Sequence, residues 1–226
     1  MRKTFLAIIA TAFVLCLSSS AMAVTINISG YATSDNFLWW WNGGSWTTLD
    51  TLETPGWREA HLITTSAESG QSSDLYFAVQ NLVNTQYPEG SSNPAAFLGS
   101  LTTPDGYFVE TGTNTLVSNI LDWEIYVSPD WVSNPTVVPT GLSPWVTPTS
   151  YGKNSDPTIW YNANGGPISN IDPDAEWIWT SPNSGTGSAR FAYLRTTYTA
   201  APVPEPASLM LLGMGILGLF GLRKKS

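Results

Sequence analysis

The sequence predicts an all-β chain folded as an antiparallel β-sandwich, and two observations carry that expectation. Short β-favouring runs recur between clusters of Gly, Ser, Asn, Pro and Thr, and no long segment places apolar residues at helical spacing. In chain order the runs predict strands near Thr25 to Ser29, Phe37 to Trp41, Glu59 to Thr65, Leu75 to Leu82, Tyr107 to Glu110, Asp122 to Val127, Thr158 to Tyr161, Trp177 to Thr180 and Ala189 to Tyr198. Strands this short need two packed layers to bury one face each.

In Phe37-Leu38-Trp39-Trp40-Trp41 the period of two puts Phe37, Trp39 and Trp41 on one face. Leu38 and Trp40 take the other, with Trp40 expected to face outward. Asn42-Gly43 follows at once and is a strong hairpin signal, because both residues tolerate the left-handed backbone of a tight turn. Ser133 to Ser150 carries Pro135, Pro139, Pro144 and Pro148, which excludes a central strand or a helix interior. It reads as a long loop within one domain, since fewer than about 60 residues separate it from the tail and these alone make a poor β core.

The two ends differ from the middle. Arg2 and Lys3 precede an apolar run from Phe5 to Leu17 and small residues ending in Ala21-Met22-Ala23, the order of a secretory signal peptide over 1–23 cut before Val24. The run is shorter than the roughly 20 residues a membrane span needs. Leu15 before Cys16 does not suit a lipidation site. At the other end, Val203-Pro204-Glu205-Pro206 leads into an apolar stretch through Leu222 and then Arg223-Lys224-Lys225-Ser226. Pro206 suits a first helical turn. A helix over 207–222 would run roughly 24 Å, short of the roughly 30 Å hydrocarbon core, and the terminal cations can snorkel to cover the difference. Those cations belong on the cytoplasmic side, which puts 24–203 outside the inner membrane.

This tail resembles the PEP-CTERM sorting signal of Gram-negative bacteria: the motif Pro204, Glu205, Pro206, a short glycine-bearing membrane helix, and the basic anchor Arg223, Lys224, Lys225. The resemblance implies exosortase, a membrane-embedded transpeptidase-like enzyme, as a partner. It also implies a transient single-pass anchor with a cytoplasmic C-terminus, then delivery to the cell surface or an extracellular polysaccharide matrix.

Of 17 acidic and 9 basic residues, one acid and five bases lie in the two ends, so the exported domain carries about −12. A surface this acidic repels nucleic acid and anionic lipid, and no nucleic-acid partner is expected. Cys16 is the single cysteine and leaves with the signal peptide, so burial and not disulfides must stabilise the domain. All 11 Trp lie in the exported region, too many for a domain of this size to hide, and some should face solvent.

A second resemblance spans most of that domain. Ala32-Thr33-Ser34-Asp35-Asn36-Phe37 running into Trp41-Asn42-Gly43, Asn93-Pro94-Ala95-Ala96-Phe97-Leu98-Gly99-Ser100-Leu101, Asp174-Ala175-Glu176-Trp177-Ile178-Trp179 and Tyr193-Leu194-Arg195-Thr196-Thr197-Tyr198 are similar to segments of galactose-binding-domain-like jelly rolls. The resemblance implies a jelly-roll-like sandwich, a fold that hosts many functions.

Catalytic machinery is sparse. His61 is the only histidine, stands in an expected strand and reads as structural; thiol catalysis is excluded without a mature cysteine. Asp122 and Glu124 point the same way on one strand, roughly 7 Å apart, a weak case for a glycosidase pair against a solvated strand face. No catalytic residue is assigned. Asn170, Asp172, Asp174 and Glu176 alternate through a turn, so Asp172, Asp174 and Glu176 form a candidate calcium site, although the glycine of an EF-hand loop is missing and Pro173 intervenes. Jelly rolls of the resembled type often carry structural calcium; a charged, solubilising turn is the plainer reading.

Sugar binding is the leading expectation. A flat aromatic ring stacks on a pyranose while polar side chains hydrogen-bond its hydroxyls. The candidates are Trp40, Trp46, Trp57, Trp131, Trp145 and Trp160, with Asp35, Asn36 and Asn42 as polar partners. The sequence thus points to a non-catalytic surface or matrix protein binding polysaccharide. A purely structural matrix protein comes second and a glycan-active enzyme third.

Overall fold

Alternation along the strands resolves into two antiparallel sheets packed face to face. The computed structural model describes residues 24–50, 56–81, 94–128, 135–136, 139–180 and 191–202. The strands are β1 (Thr25–Asp35), β2 (Phe37–Trp41), β3 (Trp46–Thr48), β4 (His61–Glu68), β5 (Ser72–Gln80) and β6 (Ala96–Thr102). They continue with β7 (Gly106–Phe108), β8 (Thr115–Val117), β9 (Trp123–Val127), β10 (Thr149–Lys153), β11 (Glu176–Trp179) and β12 (Phe191–Pro202). The first sheet runs β10-β11-β6-β1-β4, with β8 also on β6. The second runs β3-β2-β5-β12-β7, with β9 also on β12.

The main core lies between the sheets. Phe97 of β6 and Phe77 of β5 meet at 4.8 Å, and Trp123 of β9 packs on both at 5.0 and 5.9 Å. Tilted rings at these separations gain about 0.5–1.5 kcal/mol per pair beyond the area they bury. Gly30 of β1 lets β6 approach, since a Cβ there would stand 2.1 Å from the Ser100 carbonyl oxygen.

The β2 hairpin forms as its residues require. Trp41 pairs with Trp46 across a turn in which Gly43 adopts φ 92°. The Asn42 carboxamide oxygen accepts from the backbone N–H groups of Gly44 (3.1 Å) and Ser45 (2.9 Å). Other boundaries shift. Thr158 to Tyr161 is not a strand: α1 (Ile159–Asn164) stands there, N-capped by the Thr158 hydroxyl accepting from Tyr161 N–H at 3.1 Å and closed by left-handed Gly165. Four strands escape the sequence pattern, β3, β6, β8 and β10. In β6 every residue but the last is buried, so no alternation marks it.

α1 and the loop after it cover the outer face of the first sheet. Trp160 stacks on Trp177 at 4.7 Å and 16°. The buried Asn154 carboxamide holds the loop, donating to the carbonyls of Ile168 (3.0 Å) and Ile171 (3.1 Å) and accepting from Ile168 N–H (2.7 Å).

Candidate functional site

The outer face of the second sheet is an aromatic surface laid out in cross-strand rows. Side chains alternate faces, so register alone decides which residues share it. One row runs Thr48, Trp39, Ala78, Tyr193 and Tyr126 across β3, β2, β5, β12 and β9. The next runs Trp46, Trp41, Tyr76, Arg195 and Glu124 over the same strands. Trp145 joins from the proline-rich loop, which Val146 fastens to Ile125 by hydrogen bonds of 2.8 and 2.9 Å.

The rings form a continuous series. Trp41 meets Trp46 edge-on at 5.4 Å, Trp46 meets Tyr193 at 5.6 Å, Tyr193 meets Tyr126 at 6.2 Å, and Tyr126 meets Trp145 at 6.1 Å. Trp39, Phe191 and Tyr193 are buried and act as the support, whereas Trp41, Trp46, Tyr126 and Trp145 are half-buried. At the polar end the Arg195 guanidinium lies 4.5 Å over the Trp145 ring and puts Nε and Nη2 each 2.7 Å from one Glu124 oxygen. Asp74 accepts from the hydroxyls of Tyr76 (2.8 Å) and Thr197 (2.6 Å). Burial first, then the Asp74 carboxylate, pushes the Tyr76 phenol up to about 12, so it remains a donor at any ordinary pH. Flat rings bordered by fixed polar groups are what a pyranose needs: apolar faces to stack on and partners for hydroxyls at the edge.

The expected site residues do not all come together here. Trp46 and Trp145 share this face. Trp40 does not: it pairs in register with the core residue Phe77 and packs against the main core, so the outward side of β2 is Phe37, Trp39 and Trp41. Trp57 packs against the main core with Arg58 over its ring at 4.9 Å. Trp160, 3 % exposed, is spent on Trp177 and on a 3.0 Å hydrogen bond to Asp35, and offers no ring face to a ligand. Asp35 is buried, Asn36 donates to it at 2.5 Å, and burial pushes its carboxyl up to about 6 against those two hydrogen bonds. Asn42 serves the hairpin turn. Trp131, Ala21 and Ala23, the motif Pro204, Glu205 and Pro206, and Arg223, Lys224 and Lys225 lie outside the described residues.

The acidic turn does not form a cage. Asp172 accepts from Asp174 N–H at 2.8 Å, Asp174 pairs with Lys153 at 2.7 Å, and among the described residues no three Asp, Glu, His or Cys side chains gather as a cation site. Asp122 accepts from Asn119 at 2.8 Å while Glu124 faces Arg195, so the two are separately engaged. His61 starts β4 on the other sheet, and burial lowers its pKa against the opposing pull of Glu59. Sequence reasoning missed Trp41, Tyr126, Arg195 and Glu124. The signal was in the strand register, which Trp41↔Tyr76 and Arg195↔Glu124 express only once the sheet is assembled.

The fold and this face define a β-sandwich with an aromatic outer layer. Residues 202–225 match the PEP-CTERM protein-sorting motif, which directs an exported protein with a C-terminal membrane anchor to processing by exosortase. No curated protein and no solved structure matches the chain. Among the described residues no helix is long and apolar enough to cross a membrane, and the matched tail beyond Pro202 lies outside them.

Proposed function

We propose that this chain is a non-catalytic surface or extracellular-matrix protein that binds neutral polysaccharide through the outer face of its second sheet. A signal peptide over 1–23 starts its export, a helix over 207–222 anchors it transiently, and processing near Pro204 to Pro206 leaves it at the surface. The observation carrying the ligand is the set of half-buried rings Trp41, Trp46, Tyr126 and Trp145, linked through the buried Tyr193, with hydrogen-bonding groups at one end. A neutral glycan fits best because Arg195, the one cation on the face among the described residues, is already paired with Glu124, and the Asp74 carboxylate is bonded to Tyr76 of the same row. Long polyanions are repelled by the acidic domain. The galactose-binding-like segments fall on β1–β2, β6, β11 and β12, which supports a jelly roll of that kind.

Affinity electrophoresis against neutral and acidic polysaccharides tests this. Retardation in at least one neutral gel is expected; unchanged mobility in all of them removes the ligand. The second reading, a structural matrix protein without a ligand, is favoured by the burial of Trp39, Phe191 and Tyr193, which already gives the face a packing role.

A further inference from the structure

β12 enters the sorting segment with no spacer. Its last residue, Pro202, is also the first residue of the matched motif. Pro204 follows two residues later, and at about 3.3–3.6 Å per residue at most about 7 Å of chain separates them. The end of β12 is held on both sides. Ala200, Ala201 and Pro202 pair with Phe108, Tyr107 and Gly106 of β7. The N–H of Val109 donates to the Thr199 carbonyl at 2.9 Å, Thr199 N–H donates to the Glu110 carboxylate at 3.0 Å, and from the turn before β5 Gly70 N–H donates to the Ala200 carbonyl at 2.8 Å. The strands touch at Gly106, where a Cβ would stand 2.4 Å from the Ala201 oxygen.

An enzyme that cuts a peptide holds several residues on either side of the bond extended and uses their backbone groups for its own hydrogen bonds. Ala200, Ala201 and Pro202, a short way upstream of Pro204, are already paired in the sheet. We propose that Ala200–Pro202 belong to the segment the processing enzyme binds, that β7 competes with the enzyme for them, and that release of this strand end gates maturation. The pairing suits a gate: three residues at a strand terminus open locally at far lower cost than the sandwich unfolds. The inference rests on the reading that the tail is processed near Pro204 to Pro206.

The test follows precursor-to-mature conversion of the pulse-labelled full chain in a host carrying exosortase. Tyr107→Cys with Ala201→Cys places two thiols directly opposite each other at partly exposed positions. Directly opposed residues of antiparallel strands stand within disulfide reach, and the bond forms outside the inner membrane, where Cys16 no longer competes. The apparent rate follows the open fraction, so the clamped strand should mature at least about tenfold more slowly, with recovery on reduction. A flexible Gly-Ser spacer of about six residues after Pro202 should restore processing of the clamped chain without reductant, because the motif then reaches the enzyme with β12 still paired. Normal maturation of the clamped chain without a spacer overturns the gate while leaving tail processing intact. Failure of the wild-type chain to shorten at all overturns both.

Discussion

Trp46 and Tyr193 stand on strands with two others between them, yet their ring centroids are 5.6 Å apart. The reason is Ala78 on β5, which lies between Trp39 and Tyr193 in register and whose methyl leaves room above the sheet for the Trp46 ring to lean inward. A large residue at 78 would push the two rings apart and break the series of ring contacts.

Ala78→Leu is therefore expected to do two things. Ala78 is fully buried, so overpacking should destabilise the domain by about 1–3 kcal/mol, read from the urea midpoint. Displacement of Trp46 should also weaken retardation in the best neutral-polysaccharide gel. Unchanged retardation would show that the Trp46–Tyr193 contact does not shape the binding face.

The Asp35 carboxyl gives the domain a pH dependence of defined sign. Its ordinary value is 3.8 and burial raises it to about 6 in the folded chain. Between those values the folded state holds more protons than the unfolded, so this group's contribution is fully present below about pH 4 and is lost as pH rises through about 6. A gap of about two pH units corresponds to about 3 kcal/mol. Urea denaturation at pH 4.5 and 7.5 should show Asp35→Asn lacking this component of the wild-type change. Identical pH profiles for the two proteins would contradict the assignment.

Asn154→Ala should cost about 2–4 kcal/mol, because it strands the Ile168 N–H and the Ile168 and Ile171 carbonyls in a buried site. The loss should be local first. Limited proteolysis is expected to cut within 159–175 before the second sheet is touched, and simultaneous cleavage in both sheets would argue against a separately held cover.

Much of the fold was legible in the sequence. Phe37–Trp41 is a strand with the expected bounds, Asn42-Gly43 turns its hairpin, and the described residues of Ser133 to Ser150 enter only the edge strand β10, at Thr149. The sidedness of β2 was not legible: Leu38 faces the main core and Trp39 the outer aromatic cluster, so both faces are apolar and period two cannot choose between them. α1 was missed because Ile159, Trp160 and Tyr161 favour strands, while the Thr158 and Gly165 caps decided for a helix. For the site, Trp46 and Trp145 could be named from aromatic content. Their convergence depends on a hairpin and on a loop bridged to Ile125, neither of which sequence spacing encodes.

The central claim, that the outer aromatic face binds glycan, is tested most directly by isothermal titration of the mature protein and its Trp46→Ala, Trp145→Ala variant with the neutral polysaccharide that retards it most. Stacking contributions of about 1 kcal/mol or more per ring predict an affinity loss of at least about tenfold in the double variant. Trp57→Ala, on the main-core side, should bind like the wild type. Wild-type affinity in the double variant, or loss of affinity confined to Trp57→Ala, would contradict the account.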